Sequence, residues 1–356
     1  MKKICFLIGN LDHSGGTERV TAIIANNLFK REKYEIFILS LIGGNQPFFK
    51  LDESIHTYSL FSYKVSMKVN FIRAIWRIRK FAIHHKIDTL IVVDSISCVF
   101  TVPALYGLDI KHICWEHFNF NVNLGVKFRD IGRKWAAKYC NYVVTITKRD
   151  EELWRAGLKY INAEIVPIFN PVPFEFNDHK PSLDFKVVLA VGRLTYQKGF
   201  DLLLLAWQEV CEKNTDWLLK IVGSGEDEVK LKELATELGI NSRVEFIPTT
   251  NDIDSYYKSA SFYCLSSRFE GFGMVLLEAQ AYGLPLISFD CDAGPSDIII
   301  NGKNGLLVEV DKSLTEALLK QINISEIDYD KQIENSKLLI HRFDKTEIID
   351  LWEKVI

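Results

Sequence analysis

The sequence predicts an α/β protein of two doubly wound domains, each a parallel sheet with helices on both faces. Three observations predict it. Short apolar runs alternate with longer amphipathic stretches along the chain, the pattern of strands buried on both faces and linked by helices. The alternation pauses once, at Pro167-Ile168-Phe169-Asn170-Pro171-Val172-Pro173, where the prolines exclude a helix interior or a central strand. The length, 356 residues, suits two domains of ordinary size. The expected division is 1–168, a linker at 169–184, a second domain at 185–340, and a C-terminal helix at 341–356 packing back toward the first domain.

The elements follow in order. Met1-Lys2-Lys3 before Ile4–Ile8 imitates a secretion signal, but the apolar stretch is short and Gly9-Asn10-Leu11-Asp12 follows it; it reads as a first strand. Ile36–Leu41, Thr89–Val93, Lys111–Trp115 and Tyr142–Ile146 read as further buried strands. Thr17–Lys30, Met67–Ile83 and Gly125–Lys138 carry helical periodicity between them. Beyond the prolines, Lys186–Val191, Trp217–Val222, Val244–Ile247, Phe262–Leu265 and Leu284–Phe289 resume the strand pattern, and Asp328–Ile356 reads as helical.

Composition excludes other classes. Hydrophobic residues are 48% and charged residues 25% of the chain, which fits neither a disordered nor a fibrous protein. No apolar run reaches the ~18 residues of a membrane-spanning helix. The seven cysteines have no paired spacing. Cys5, Cys98, Cys114, Cys264 and Cys291 sit in or beside apolar runs and read as reduced core residues of a cytoplasmic protein, with no disulfide framework and no zinc pattern. Residues 1–170 carry 24 Lys and Arg against 15 Asp and Glu, whereas 171–356 carry 19 against 31. That asymmetry suggests halves with different partners. No nucleic-acid motif accompanies the basic half.

In open parallel sheets ligands bind beyond the carboxyl ends of the strands, and several glycine turns fall there. Gly15-Gly16-Thr17 follows the first strand and opens a helix, where backbone N–H groups favour an anion. Gly192-Arg193 ends the first strand of the second half and Lys198-Gly199 precedes the next helix; two cations on one loop suit a diphosphate. Gly223-Ser224-Gly225 offers a similar turn. The most specific segment is Ser267 to Ala279, with Glu270 before Gly271-Phe272-Gly273 and Glu278 eight residues on. If the helix starts near Gly273, Glu278 lies ~7 Å along its axis, placed for sugar hydroxyls beside an anion.

Glu270-Gly271-Phe272-Gly273 with Glu278-Ala279 resembles the E-x7-E motif of family 4 retaining glycosyltransferases of the GT-B fold. The resemblance covers nearly the whole chain. Gly15-Gly16-Thr17-Glu18-Arg19, Gly192-Arg193-Leu194 with Lys198-Gly199, Ala281-Tyr282-Gly283-Leu284-Pro285 and Asn301-Gly302-Lys303-Asn304-Gly305 are similar to the family's other motifs, in the family's order. Asn170-Pro171-Val172 and Cys291–Ile299 resemble the branch that builds bacterial surface polysaccharides: O-antigen, capsule or exopolysaccharide.

The resemblance implies two Rossmann-like domains facing across a cleft and transfer of a hexose or N-acetylhexosamine with retained configuration. It implies a nucleotide diphosphate sugar as donor, with a UDP-sugar favoured. It assigns the diphosphate to Arg193 and Lys198, the donor sugar to Glu270, the ribose to Glu278, and backbone donors to Gly16, Phe272 and Gly273. His117, after the strand Lys111–Glu116, falls where the family carries an active-site histidine. Gly15, Gly223 and Gly225 complete the expected donor site. No cofactor is expected. Asp252-Ile253-Asp254 and Asp290-Cys291-Asp292 read as coincidental D-x-D matches, and His84-His85 lacks a third ligand, so no metal is expected either. A nucleotide-sugar 2-epimerase of the same fold and a non-catalytic nucleotide-binding subunit stay open as alternatives.

The basic half suggests a membrane surface. Arg73, Arg77, Lys80 and His84 share one face of the helix predicted at Met67–Lys86, opposite Phe71, Ile75, Ile78 and Ala82. Lys127, Arg129, Arg133, Lys134 and Lys138 form a second basic cluster. Such clusters could hold the protein on the anionic inner face of the cytoplasmic membrane, with a lipid-linked oligosaccharide as acceptor.

Overall fold

A computed structural model describes residues 1–123, 125–174 and 178–356. The expected linker includes 175–177, which lie outside the described residues. The chain forms two compact units, Met1–Pro173 with Phe343–Ile356, and Phe174–Arg342.

The first unit runs β1 (Lys2–Ile8), α1 (Gly16–Phe29), β2 (Tyr34–Ile42), β3 (His56–Phe61), α2 (Phe71–His85), β4 (Thr89–Val93), α3 (Cys98–Leu105), β5 (Lys111–Trp115), α4 (Lys127–Tyr139), β6 (Tyr142–Thr145), α5 (Lys148–Gly157) and β7 (Glu164–Pro167). Its strands form one parallel sheet in the order β3-β2-β1-β4-β5-β6-β7. The chain leaves β1 toward one edge and returns through β4 toward the other, so the order reverses between β1 and β4. β3 and β7, the two edges, carry exposed residues among the buried ones. They lack the continuous apolar run that marks the inner strands, so the sequence pattern passes over them.

The second unit runs β8 (Val187–Val191), α6 (Phe200–Lys213), β9 (Leu218–Val222), α7 (Glu228–Glu237), β10 (Val244–Ile247), α8 (Ile253–Lys258), β11 (Phe262–Leu265), α9 (Met274–Ala281), β12 (Leu286–Phe289), α10 (Pro295–Ile298), β13 (Gly305–Val308), α11 (Thr315–Ile322) and α12 (Glu326–Leu339). Its sheet is parallel in the order β10-β9-β8-β11-β12-β13, with the reversal between β8 and β11. Each unit has its own apolar core around its sheet.

The stretch expected to be helical from Asp328 to Ile356 is interrupted. α12 ends at Leu339, a short 3-10 turn follows, and Asp344 caps a new helix, α13 (Lys345–Val355), by accepting from the Thr346 N–H. That helix belongs to the first unit. Trp352 is fully buried and meets Trp115 edge-on, with ring centroids 4.9 Å apart. The Ile356 carbonyl accepts from Lys2 and Lys111. Trp352→Ala should therefore destabilise the protein by about 3–5 kcal/mol, read as a lower urea midpoint; an unchanged midpoint would show that α13 adds nothing to this core.

Candidate functional site

In the second unit the loops after β8 and β11 leave neighbouring strands at the point where strand order reverses. Each binds the other. Arg268 N–H donates to the Gln197 carbonyl at 2.8 Å, the Gln197 amide to the Phe269 carbonyl, and the Ser266 hydroxyl to the Lys198 carbonyl. Arg268 also forks onto the Asp201 carboxylate, at 2.8 and 2.6 Å, and stacks on Tyr196. Gly199 adopts a left-handed φ of 61°, and a Cβ there would lie 2.1 Å from the Ser266 carbonyl oxygen.

This clamp brings Lys198 and Glu270 together, Nζ to Oε1 at 2.5 Å. The Ser267 hydroxyl donates to the same Oε1 at 2.6 Å. Glu270 is nearly buried. Both bonds use Oε1, and no hydrogen bond among the described residues engages Oε2. Lys198 has three N–H donors, so one is spent on Glu270. Its stem runs along Gly192, within ordinary contact of where a Cβ would stand. Arg193, next in the chain, is exposed, and no ion pair among the described residues holds it.

Gly223 and Gly225 lie against this loop. A Cβ on Gly223 would stand 1.9 Å from the Gly192 carbonyl oxygen, and one on Gly225 2.2 Å from that of Leu194. Leu194 N–H in turn donates to the Ser224 carbonyl. The glycines thus let two backbone segments touch, whatever else they do. Phe272 is buried, and the loop at Gly294 packs so closely that a Cβ there would meet the Phe272 carbonyl oxygen at 2.2 Å. Gly273, left-handed at φ 89°, is the N-cap of α9. Glu278 lies inside α9, nearly buried, and accepts from the Tyr257 hydroxyl at 2.9 Å. Tyr257 stacks on Tyr282. Nothing in the sequence marked Tyr257, which comes from α8.

The remaining predicted residues belong to the first unit. Gly15 is the N-cap of α1 and Gly16 its first residue. The Glu18 carboxylate folds back over this end, 2.3 Å from where a Gly15 Cβ would be. His117 follows β5. It is buried beside Trp115, and its Nε2 has no hydrogen-bond partner. Burial pushes its pKa down to about 3.

Beneath His117 lies a network that the sequence did not announce. Glu116 is fully buried and accepts from the Ser95 hydroxyl at 2.5 Å, from Arg133 at 3.3 Å and from the backbone N–H groups of His117 and Phe118. Arg129 donates to Asp94 at 2.6 Å. Asp94 follows β4 with a left-handed φ of 79°, uncommon for a residue with a side chain. Burial and the nearby Glu116 carboxylate raise its pKa, and Arg129 opposes them. Arg129 and Arg133 therefore do not belong to a solvent-facing basic cluster. Both are buried and tied to carboxylates and carbonyls.

Two outcomes follow from this geometry. Gly223→Ala forces the Gly192 loop to move and should lower the melting temperature, with a cost of about 1–3 kcal/mol; a neutral variant would mean that this contact is loose. His117 is neutral in the fold, whereas its ordinary pKa is 6.5. Its contribution is thus full above pH 6.5 and is lost as pH falls toward 3, by at most about 1.4 kcal/mol per pH unit. Stability of the wild type relative to His117→Gln, from urea melts at pH 7 and pH 5, should fall accordingly.

The comparisons agree with this architecture. Residues 14–176 match the family model described as Glycosyltransferase Family 4, and residues 172–338 the model Glycosyl transferases group 1. An uncharacterized glycosyltransferase of Haemophilus influenzae is 39% identical over the full length of both chains. A GalNAc-alpha-(1->4)-GalNAc-alpha-(1->3)-diNAcBac-PP-undecaprenol alpha-1,4-N-acetyl-D-galactosaminyltransferase of Campylobacter jejuni is 26% identical, covering 100% of this chain and 98% of its own. Among solved structures, Anabaena HepE in complex with UDP and glucose superposes with a TM-score of 0.79 at 18% identity, over 99% of each chain. Two parallel, doubly wound sheets, the motifs at their strand ends and a full-length relative at this identity lead to one conclusion: the chain belongs to the family 4 glycosyltransferases of the GT-B fold.

Proposed function

We propose that this glycosyltransferase moves a hexose or N-acetylhexosamine from a nucleotide diphosphate sugar, a UDP-sugar in preference, to a lipid-linked glycan in bacterial surface-polysaccharide synthesis. The observation that carries the proposal is the Lys198–Glu270 pair at the strand-order reversal of the second unit, with Arg193 on the same loop. Arg193 and the remaining donors of Lys198 meet the diphosphate and stabilise the charge that grows as it leaves. Oε2 of Glu270 accepts from a donor-sugar hydroxyl, and Glu278, oriented by Tyr257, takes the ribose. Gly15, Gly16, Gly223, Gly225, Phe272 and Gly273 complete the donor site as backbone. His117, neutral at working pH, offers a hydrogen bond to the donor sugar without carrying charge.

Transfer proceeds with retention by a front-face route. The bond from the anomeric carbon to the leaving phosphate oxygen breaks, the acceptor oxygen bonds on the same face, and the acceptor proton passes to the departing phosphate. The two cations supply the neutralisation that a metal provides in other transferases, so no metal is required. The names of relatives support the substrate classes: the Campylobacter enzyme is named for an undecaprenol-linked glycan, and HepE was solved with UDP.

Lys198→Ala and Glu270→Ala should each lower transfer about 10²–10³-fold, with circular dichroism unchanged. Full activity in either would remove the proposal. Labelled donor without acceptor should stay unconverted; its conversion to an isomer would establish an epimerase instead. A UDP-sugar should raise the melting temperature by mass action.

The same proposal places the enzyme at the inner face of the cytoplasmic membrane. Among the described residues no helix is long and apolar enough to cross a membrane. The support lies on α2. Ala74, Ile78 and Ala82 are buried, while Ile72, Trp76 and Ile83 are exposed beside Arg73 and Lys80, with Lys80 Nζ over the Trp76 ring. Arg77 is not free for lipid, since it donates to the Leu60 carbonyl and stacks on Phe61. Each remaining cation near an anionic leaflet contributes ~1 kcal/mol. Wild-type protein should co-sediment with phosphatidylglycerol vesicles, less so in high salt, and Trp76→Ala with Lys80→Glu should release it. Binding indifferent to salt and to both substitutions would place the contact elsewhere.

A further inference from the structure

Three metal donors, with a further thiol beside them, lie together in the core of the first unit, and none has been given a role above. Cys98 opens α3, His112 and Cys114 lie on one face of β5 as an i, i+2 pair, and Cys140 follows the last residue of α4. All four are buried and the thiols are free. One ligand atom each from Cys98, His112 and Cys140 lies within 4.8 Å of the others. Cys114 stands beside Cys98 but outside this set of three.

The histidine is set for ligation. Its Nε2 is 3.0 Å from the Thr101 hydroxyl, which is in turn placed to donate to the Ser97 carbonyl. A hydroxyl that donates there accepts from the imidazole, so the ring proton belongs on Nε2. That leaves the Nδ1 lone pair facing Cys140 Sγ at 3.5 Å. Metal-bound histidines are commonly oriented by such an outer hydrogen bond on the second nitrogen. In tetrahedral zinc, with bonds of about 2.3 Å to sulfur and 2.0 Å to nitrogen, the two ligand atoms stand about 3.5 Å apart. The contact thus has the ligand-to-ligand spacing of such a site before any ion enters.

His112 also lines an open pocket of about 480 Å³ together with Val102, Leu105, Tyr139 and Asn141. Two thiolates, an imidazole and a divalent ion sum to zero charge, which suits a buried position.

We propose that Cys98, His112 and Cys140 form a structural site for a zinc-class cation that ties α3, β5 and the end of α4 together. Cysteine and imidazole donors select zinc over magnesium or calcium, and binding releases the two thiol protons to solvent as the two metal–sulfur bonds form. Nothing in this inference depends on the transfer reaction.

The test uses full-length protein, reduced and dialysed against chelator, titrated with cobalt(II). One equivalent should produce thiolate-to-cobalt charge-transfer absorption, and one equivalent of zinc should abolish it and raise the melting temperature. Cys98→Ala with Cys140→Ala should lose the band, whereas Cys211→Ala, in the second unit, should keep it. Should the double variant fail to fold, Cys140→Ala alone and His112→Gln each remove one ligand and should shift or weaken the band. No band in wild-type protein whose thiols are shown to be reduced overturns the site. So does a band unchanged by loss of these ligands. The cluster would then be two thiols and an imidazole held by core packing and the Cys140–His112 contact alone.

Discussion

A lysine ammonium and a glutamate carboxylate held 2.5 Å apart organise the second unit's candidate site. Removing such a pair from water costs more than a surface ion pair gains unless the geometry is fixed and other hydrogen bonds assist. Here the Ser267 hydroxyl and the cross-linked loops around Gln197, Ser266 and Arg268 supply that fixity. Lys198 comes from the loop after β8 and Glu270 from the loop after β11, so the pair exists only because those strands are neighbours in the sheet. The glycines of the adjoining turns serve the same end. At Gly199, Gly223 and Gly225 a side chain would collide with a carbonyl of the facing loop.

The first unit solves a similar problem with a buried carboxylate at its centre. Glu116 gathers Ser95, Arg133 and two backbone amides, and Arg129 joins it to Asp94. Asp94, Ser95 and Glu116 lie just past the ends of β4 and β5, and Arg129 and Arg133 reach them from α4. Satisfied networks of this kind rigidify the loops that carry them, and burial keeps His117 neutral. Sequence reasoning assigned Arg129 and Arg133 to a solvated basic face because helical spacing alone cannot tell an outward cation from one folded beneath a loop. On α2 the same reasoning set Trp76 beside the cations Arg73 and Lys80, all exposed, but missed Ile72 and Ile83, which are exposed on the same helix.

Most inner strands were legible because a strand covered on both faces must be apolar throughout. Edge strands β3 and β7 were not, since half-solvated positions blur that signal. Lys198 and Glu270 were visible as motif residues, yet their direct contact was not, and Tyr257 gave no signal at all. Cys98 was read as a separate core residue, and Cys140 was not marked. Their convergence with His112 depends on β5, α3 and α4 meeting, and 42 residues separate Cys98 from Cys140.

The sequence by itself determined what is local or repetitive: the alternation of strand and helix, the glycine turns at strand ends, the proline-rich break and the order of the motifs. These are legible because backbone geometry and burial impose fixed periods on neighbouring residues. Only the tertiary structure decided which charges meet, which cations are buried and where the thiols gather. Those outcomes depend on strand order and on loops from distant parts of the chain, and no short-range period encodes them.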